Sequence, residues 1–279
     1  MKYKNIPFTL EALEDGVKFT FDSATRSPIL ASYDNGETWK LLSANKTKIL
    51  KRAETVALKS YFPSEIRIED NDHTFNAYGN IMSLFLGSDF LNEEIIAVIP
   101  SPKMSHLFEE TNIVNASNLI LSATTLSEGC YKDMFCSCKR LVTAPALPAT
   151  ALADSCYESM FQNCTSLTTA PKLPATTLAD RCYAFMFYDC TSLTTAPELP
   201  ATTLAEKCYT SMFSNCINLT IAPKLPATTL ANACYQYMFS CCKNLRTILE
   251  FPTAIKVLPT VSEQQNCYKN MFIGCTSLT

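Results

Sequence analysis

The chain has 279 residues, room for two domains or for one domain and a repeat array, and a formal net charge of −3. Residues 1–100 carry 11 Lys/Arg against 14 Asp/Glu, and residues 101–279 carry 12 against 12. Neither part has the basic excess that nucleic-acid binding requires. No run approaches the ~18 consecutive apolar residues of a membrane-spanning helix. Two histidines, six glycines and no Gly-rich phosphate loop leave no recognisable catalytic or cofactor constellation.

The first residues, Met1-Lys2-Tyr3-Lys4-Asn5-Ile6-Pro7, lack the continuous apolar core and cleavage site of a secretory signal. Strand-like runs then follow one another: Phe8-Thr-Leu10, Val17-Lys-Phe-Thr-Phe21, Ile29-Leu-Ala-Ser-Tyr33, Thr38-Trp-Lys-Leu41, Val56-Ala-Leu58 and Ile66-Arg-Ile68. Their alternation predicts a small all-β sandwich domain over residues 1–78. Asn35-Gly36 marks a hairpin, because both residues tolerate positive φ. The surrounding Ser32-Tyr33-Asp34-Asn35-Gly36-Glu37-Thr38-Trp39 resembles the Asp box of sialidase-like propellers. The resemblance implies a structural hairpin, with Ser and Asp holding the turn and Trp packed beneath. A single copy builds no propeller and implies no glycosidase activity. Residues 79–103 mix an apolar stretch with a Pro-containing exit and read as a connecting segment packed against both neighbours.

Beyond residue 103 the chain repeats itself. Cys-Tyr recurs at Cys130, Cys156, Cys182, Cys208 and Cys234, and again at Cys267 after a longer step that places an insertion between Arg246 and Asn266. A cysteineless forerunner, Leu107-Phe108, Leu121 and Ala123-Thr-Thr-Leu126, reads as an N-terminal cap over 104–129. Within Cys-Tyr-x-x-Met-Phe-x-x-Cys, positions 1, 5 and 9 and positions 2 and 6 step by four, which at about 100° per residue gathers them on one face of a short amphipathic helix. The following Leu-Thr-Thr-Ala-Pro reads as a strand ending at a proline turn. One short strand and one short helix per 26-residue repeat predict an α/β solenoid over 104–279.

The segment Leu173-Pro174-Ala-Thr-Thr-Leu178…Met186-Phe187-Tyr-Asp-Cys190-Thr-Ser-Leu193 resembles the BspA-like leucine-rich repeats of surface proteins from gut and oral Bacteroidota. The resemblance covers about residues 104–279. It implies a leucine-rich-repeat solenoid acting as a non-catalytic cell-surface adhesion or ligand-binding module, with a host or bacterial surface protein or glycan as partner. It also implies an extracellular location, which calls for a signal absent from this chain. A structural part of a larger assembly, such as a phage or appendage component, is the alternative. The chain stops at Thr279 midway through a copy, as a truncated piece would.

All 14 cysteines lie between Cys130 and Cys275. Placed on a helix, positions 1 and 9 stand about 12 Å apart, too far for a disulfide. Equivalent cysteines of successive repeats would run parallel as a ladder of buried thiols. Cys136 and Cys241, at variable positions 7 and 8, read as partly exposed. No facing Cys-x2-Cys pairs indicate a metal site. On the helix's solvent side, positions 4 and 7 place Phe185, Tyr188 and Tyr237 as aromatic walls around Ser211 and Ser214. That predicts a slot about 10 Å wide, suited to a sugar ring or an extended peptide.

Overall fold

The computed structural model describes residues 3–19, 28–42, 48–61, 68, 72–91, 104–248 and 266–278. The predicted strand residues Thr20, Phe21, Ile66 and Arg67, residues 92–103 of the predicted connecting segment, most of the insertion before Asn266, and Thr279 lie outside them.

The N-terminal strands are β1 (Phe8–Ala12), β2 (Val17–Phe19), β3 (Ile29–Ser32), β4 (Lys40–Leu42), β5 (Lys48–Leu50), β6 (Thr55–Lys59) and β7 (Phe75–Asn80). Alternation decides their faces: Phe8, Leu10 and Ala12 of β1 are buried, as are Phe75 and Ala77 of β7. The sheet runs β4-β3-β6-β1-β7, antiparallel throughout. The β2–β5 pair forms a second small sheet, and Phe19 meets Phe75 edge-on at 5.4 Å. A single helical turn, α1 (Ser83–Leu86), follows β7. It is locked by Ser83, whose hydroxyl donates to Leu58 O at 2.8 Å and accepts from Phe8 N at 2.9 Å.

The sheet does not stop at residue 78. Two strands of the cap, β8 (Ile113–Asn115) and β9 (Leu119–Ile120), pair with β7 in parallel. From Asn115 a line of parallel bridges continues through Thr143, Thr169 and Thr195 to Ile221. It ends on β10 (Ile221–Ala222) and β11 (Thr247–Ile248). One hydrogen-bonded ladder therefore crosses both predicted domain boundaries. One hydrophobic cluster also runs unbroken from Phe8 to Met271.

The predicted repeat helix does not form. Among the described residues the only α-helix is α1. Between Ser155 and Cys164, the N–H groups of Ser155, Tyr157, Ser159, Phe161 and Asn163 donate to carbonyls of the next copy, from Asp180 to Tyr188, at 2.8–3.0 Å. The intervening N–H groups of Cys156, Glu158, Met160, Gln162 and Cys164 donate three residues back, at 3.0–3.2 Å. Every fourth residue, here Ser155, Ser159 and Asn163, takes a left-handed φ of 54–59°. The segment is thus a chain of tight turns with a period of four. A helix would keep its N–H bonds to itself, and packed helices stand about 8–10 Å apart. Turns that donate every second N–H outward let copies approach as closely as strands. The Tyr column (Tyr131, Tyr157, Tyr183, Tyr209, Tyr235) and the Phe column (Phe108, Phe135, Phe161, Phe187, Phe213, Phe239) stack near-parallel with centroids 5.0–6.0 Å apart. Full burial contributes roughly 1.5–3 kcal/mol for each such ring.

Candidate functional site

The left-handed turns decide what each repeat shows to solvent. Position 4 lies at the tip of one turn, and Phe185 and Tyr237 hold φ of 57° and 55° there. Phe185, Tyr188 and Tyr237 are half-buried, while Ser211 and Ser214 are buried. Phe185 and Tyr188 touch, with centroids 6.1 Å apart and planes at 57°. Backbone bonds from Phe185 N to Thr210 O (2.9 Å) and from Ser211 N to Gln236 O (2.8 Å) carry the row onward. Tyr237 lies two copies along, about 10–12 Å away at strand-like spacing. The structure joins the first two aromatics and sets Tyr237 apart, with both serines beneath the surface. A second opening occurs where the proline turns of adjacent copies meet: Pro174, Pro197 and Pro200 flank Leu173, Lys172 and Glu198 around a cleft of about 530 Å³. The proline that ends Leu-Thr-Thr-Ala-Pro signals a turn but not the cleft, which needs two copies to exist.

The cysteines are occupied in structure. Each position-9 thiol donates to the carbonyl of the preceding copy's Phe: Cys164 to Phe135, Cys190 to Phe161 and Cys216 to Phe187, all at 3.1 Å. A thiol suits this place because it is small, tolerates an apolar setting and can still donate. In the cap the same carbonyl, that of Phe108, accepts from the hydroxyl of Thr111 at 2.8 Å. Burial pushes the Cys138 and Cys182 thiols up to about 12, far from the thiolate needed of a nucleophile. Cys136 is buried, not partly exposed, and its Sγ lies 3.8 Å from Ser137 Oγ, whereas Cys241 is exposed.

Glu158 is the buried carboxylate among the described residues of the array. Burial works against its ionisation, but hydrogen bonds from Arg181 and Ser155 outweigh it and hold the carboxyl below its usual range. Lys132 approaches from the copy before, at 3.5 Å, and Arg181 from the copy after. The charge thus ties three copies together. His106 binds Glu109 at 2.9 Å. Among the described residues, no group of three His, Cys, Asp or Glu is placed to hold a metal ion.

The Asp-box segment is a closed hairpin between β3 and β4. Ser32 Oγ lies 2.6 Å from Asp34 Oδ1 and accepts from Gly36 N at 2.8 Å. Asp34 accepts from the Thr38 backbone at 2.9 Å and from its hydroxyl. Trp39 Nε1 closes the turn on Gly36 O at 3.0 Å, and Lys59 Nζ sits 4.0 Å over the indole ring. Asn35 and Gly36 take the expected positive φ, 57° and 91°.

No helix among the described residues is long and apolar enough to cross a membrane. No protein-family model, curated protein or solved structure matches the chain.

Proposed function

We propose that this chain is a non-catalytic recognition protein: a repeat solenoid of the leucine-rich type, with turns in place of helices, joined to a β-sheet domain. It would act at a cell surface, on a protein or a glycan. One observation carries the reading: among the described residues, many thiols and buried polar side chains of the repeats are engaged in holding copies together. Thiols donate to carbonyls, Tyr and Phe stack in columns, and Glu158 is neutralised on both sides. What remains outside is a regular surface of threonines, prolines and the Phe185–Tyr188 pair, which suits binding to an extended partner.

The test is binding of the intact chain to immobilised extracellular-matrix proteins and to a glycan array, beside a Phe185→Ala/Tyr188→Ala/Tyr237→Ala variant. The reading expects saturable binding to at least one surface. Loss of binding in the folded variant places recognition on the aromatic row, and retention moves it elsewhere on the chain. Failure of the wild type to bind any protein or glycan surface would overturn the reading.

A further inference from the structure

The outer face of the N-terminal sheet carries a second aromatic feature, built by a chain crossing. Gly79 has φ of 85°, and a Cβ there would lie 2.1 Å from Pro7 O. Only glycine lets the N-terminal segment pass over β7 at this point, where Asn80 N donates to Ile6 O at 2.8 Å. The crossing sets Tyr3 edge-on against Tyr78, with centroids 5.5 Å apart and planes at 61°. Both rings are half-buried.

Three openings converge on this pair. One, of about 300 Å³, has Glu11, Asn76, Asn115 and Asn118 around the two rings. A larger one, of about 690 Å³, runs from Tyr3 and Lys4 along residues 117–122 to Ala146 and Pro148. The third, of about 260 Å³, lies between Tyr78, Asn35 and Thr55. Their polar groups are held in place: Asn76 Nδ2 donates to Glu11 Oε2 at 3.0 Å, and Asn115 Oδ1 accepts from Ser117 N at 2.8 Å.

We propose that the Tyr3–Tyr78 pair and its ring of Glu11, Asn76, Asn115 and Asn118 form a binding site for a neutral hexose unit of a glycan. This deepens the recognition reading and rests on it. Ring faces accept the C–H face of a pyranose, and preoriented amides and a carboxylate match its hydroxyls as donors and acceptors. A carboxylate in the wall disfavours phosphate, sulfate and acidic sugars. An extended peptide has no edge to add to here, because β1 and β7 are each paired on both sides.

The experiment screens the intact chain on an array of neutral glucose-, mannose- and galactose-based oligosaccharides and then titrates the best binder by calorimetry. Tyr78→Ala should weaken binding at least about tenfold and Asn118→Ala several-fold, while Tyr78→Phe keeps the ring and the affinity. The Phe185→Ala/Tyr188→Ala/Tyr237→Ala variant should bind as the wild type does. If Tyr78→Ala fails to fold, Asn118→Ala decides by the same criterion. The site is overturned if the wild type binds no neutral glycan, or if Tyr78→Ala and Asn118→Ala bind unchanged. Binding to a matrix protein without any sugar, or sugar binding lost only in the repeat-surface variant, removes this site and leaves the recognition reading standing.

Discussion

The two halves of the ladder reach order by different routes. In the N-terminal sheet, unlike residues alternate between a buried and a solvent face, and register comes from antiparallel pairs such as Leu10↔Val56 and Leu10↔Ala77. In the repeats, like stacks on like, and register comes from identity itself. Backbone strain divides in the same way. Among the described residues, 19 non-glycine positions have positive φ, and only Asn35 and Ala53 precede residue 104. Each left-handed residue costs about 1–2 kcal/mol. In the array each four-residue turn also gains two bonds to the next copy, each worth about 0.5–1.5 kcal/mol net. It buries a ring or thiol as well, so the strain is outweighed as long as a neighbour is present. A sheet of unlike strands confines strain to a crossing or a hairpin; an array of like turns can afford it everywhere.

Breaking the N-terminal side at its tightest point should have the largest effect. Gly79→Ala sets a side chain against backbone that has no room to move, and should cost at least about 4 kcal/mol in denaturant melts. A neutral result would mean that Pro7 does not cross there. In the array, Phe187→Ala removes a fully buried ring and should cost about 3–5 kcal/mol, whereas exposed Glu198→Ala should change stability by less than about 0.5. Equal effects would invert the assignment of inside and outside.

Sign, not size, tests the turn geometry. At Phe185, glycine should be more stable than alanine by about 1 kcal/mol, because φ is positive there. In a helix alanine would win by a similar margin. A smaller effect belongs to the hairpin, where hydrogen bonds from Ser32 and then from Thr38 hold the Asp34 carboxyl at about 2. A carboxyl depressed by folding stabilises above its unfolded value, about 3.9, and that contribution is lost as pH falls toward 2. Fluorescence of Trp39, the sole tryptophan, should report this transition between pH ~4 and ~2, and Asp34→Ala should flatten it. Least disruptive is thiol labelling. Cys241 should react fast in the native protein, Cys275 slowly, and the rest only after denaturation, when all 14 become available. Fast labelling of Cys190 would contradict its bond to Phe161 O.

Much of the plan could be read from residues alone. The 26-residue register, the inward Tyr, Met and Phe positions and the Asp34 hairpin all follow from local spacing and chemistry. The turn geometry is also written there, in residues whose spacing also suits a helix. Asn163, Asp189, Asn215 and Gly274 share position 8, and these residue types favour a left-handed backbone. An apolar step of four also fits a four-residue turn better than the 3.6 of a helix.

Other features are invisible until copies and segments meet. Whether an N–H bonds three residues back or 25 residues ahead depends on a neighbouring copy, which periodicity within one copy cannot supply. The joining of β7 to β8 and β9, the cleft between proline turns, and the meeting of Tyr3 with Tyr78 all bring distant parts of the chain together. Sequence fixed which side chains point inward, because burial of apolar surface acts residue by residue. Only the tertiary structure decided how closely the copies approach and which surfaces remain open, because backbone hydrogen bonding between copies sets that distance.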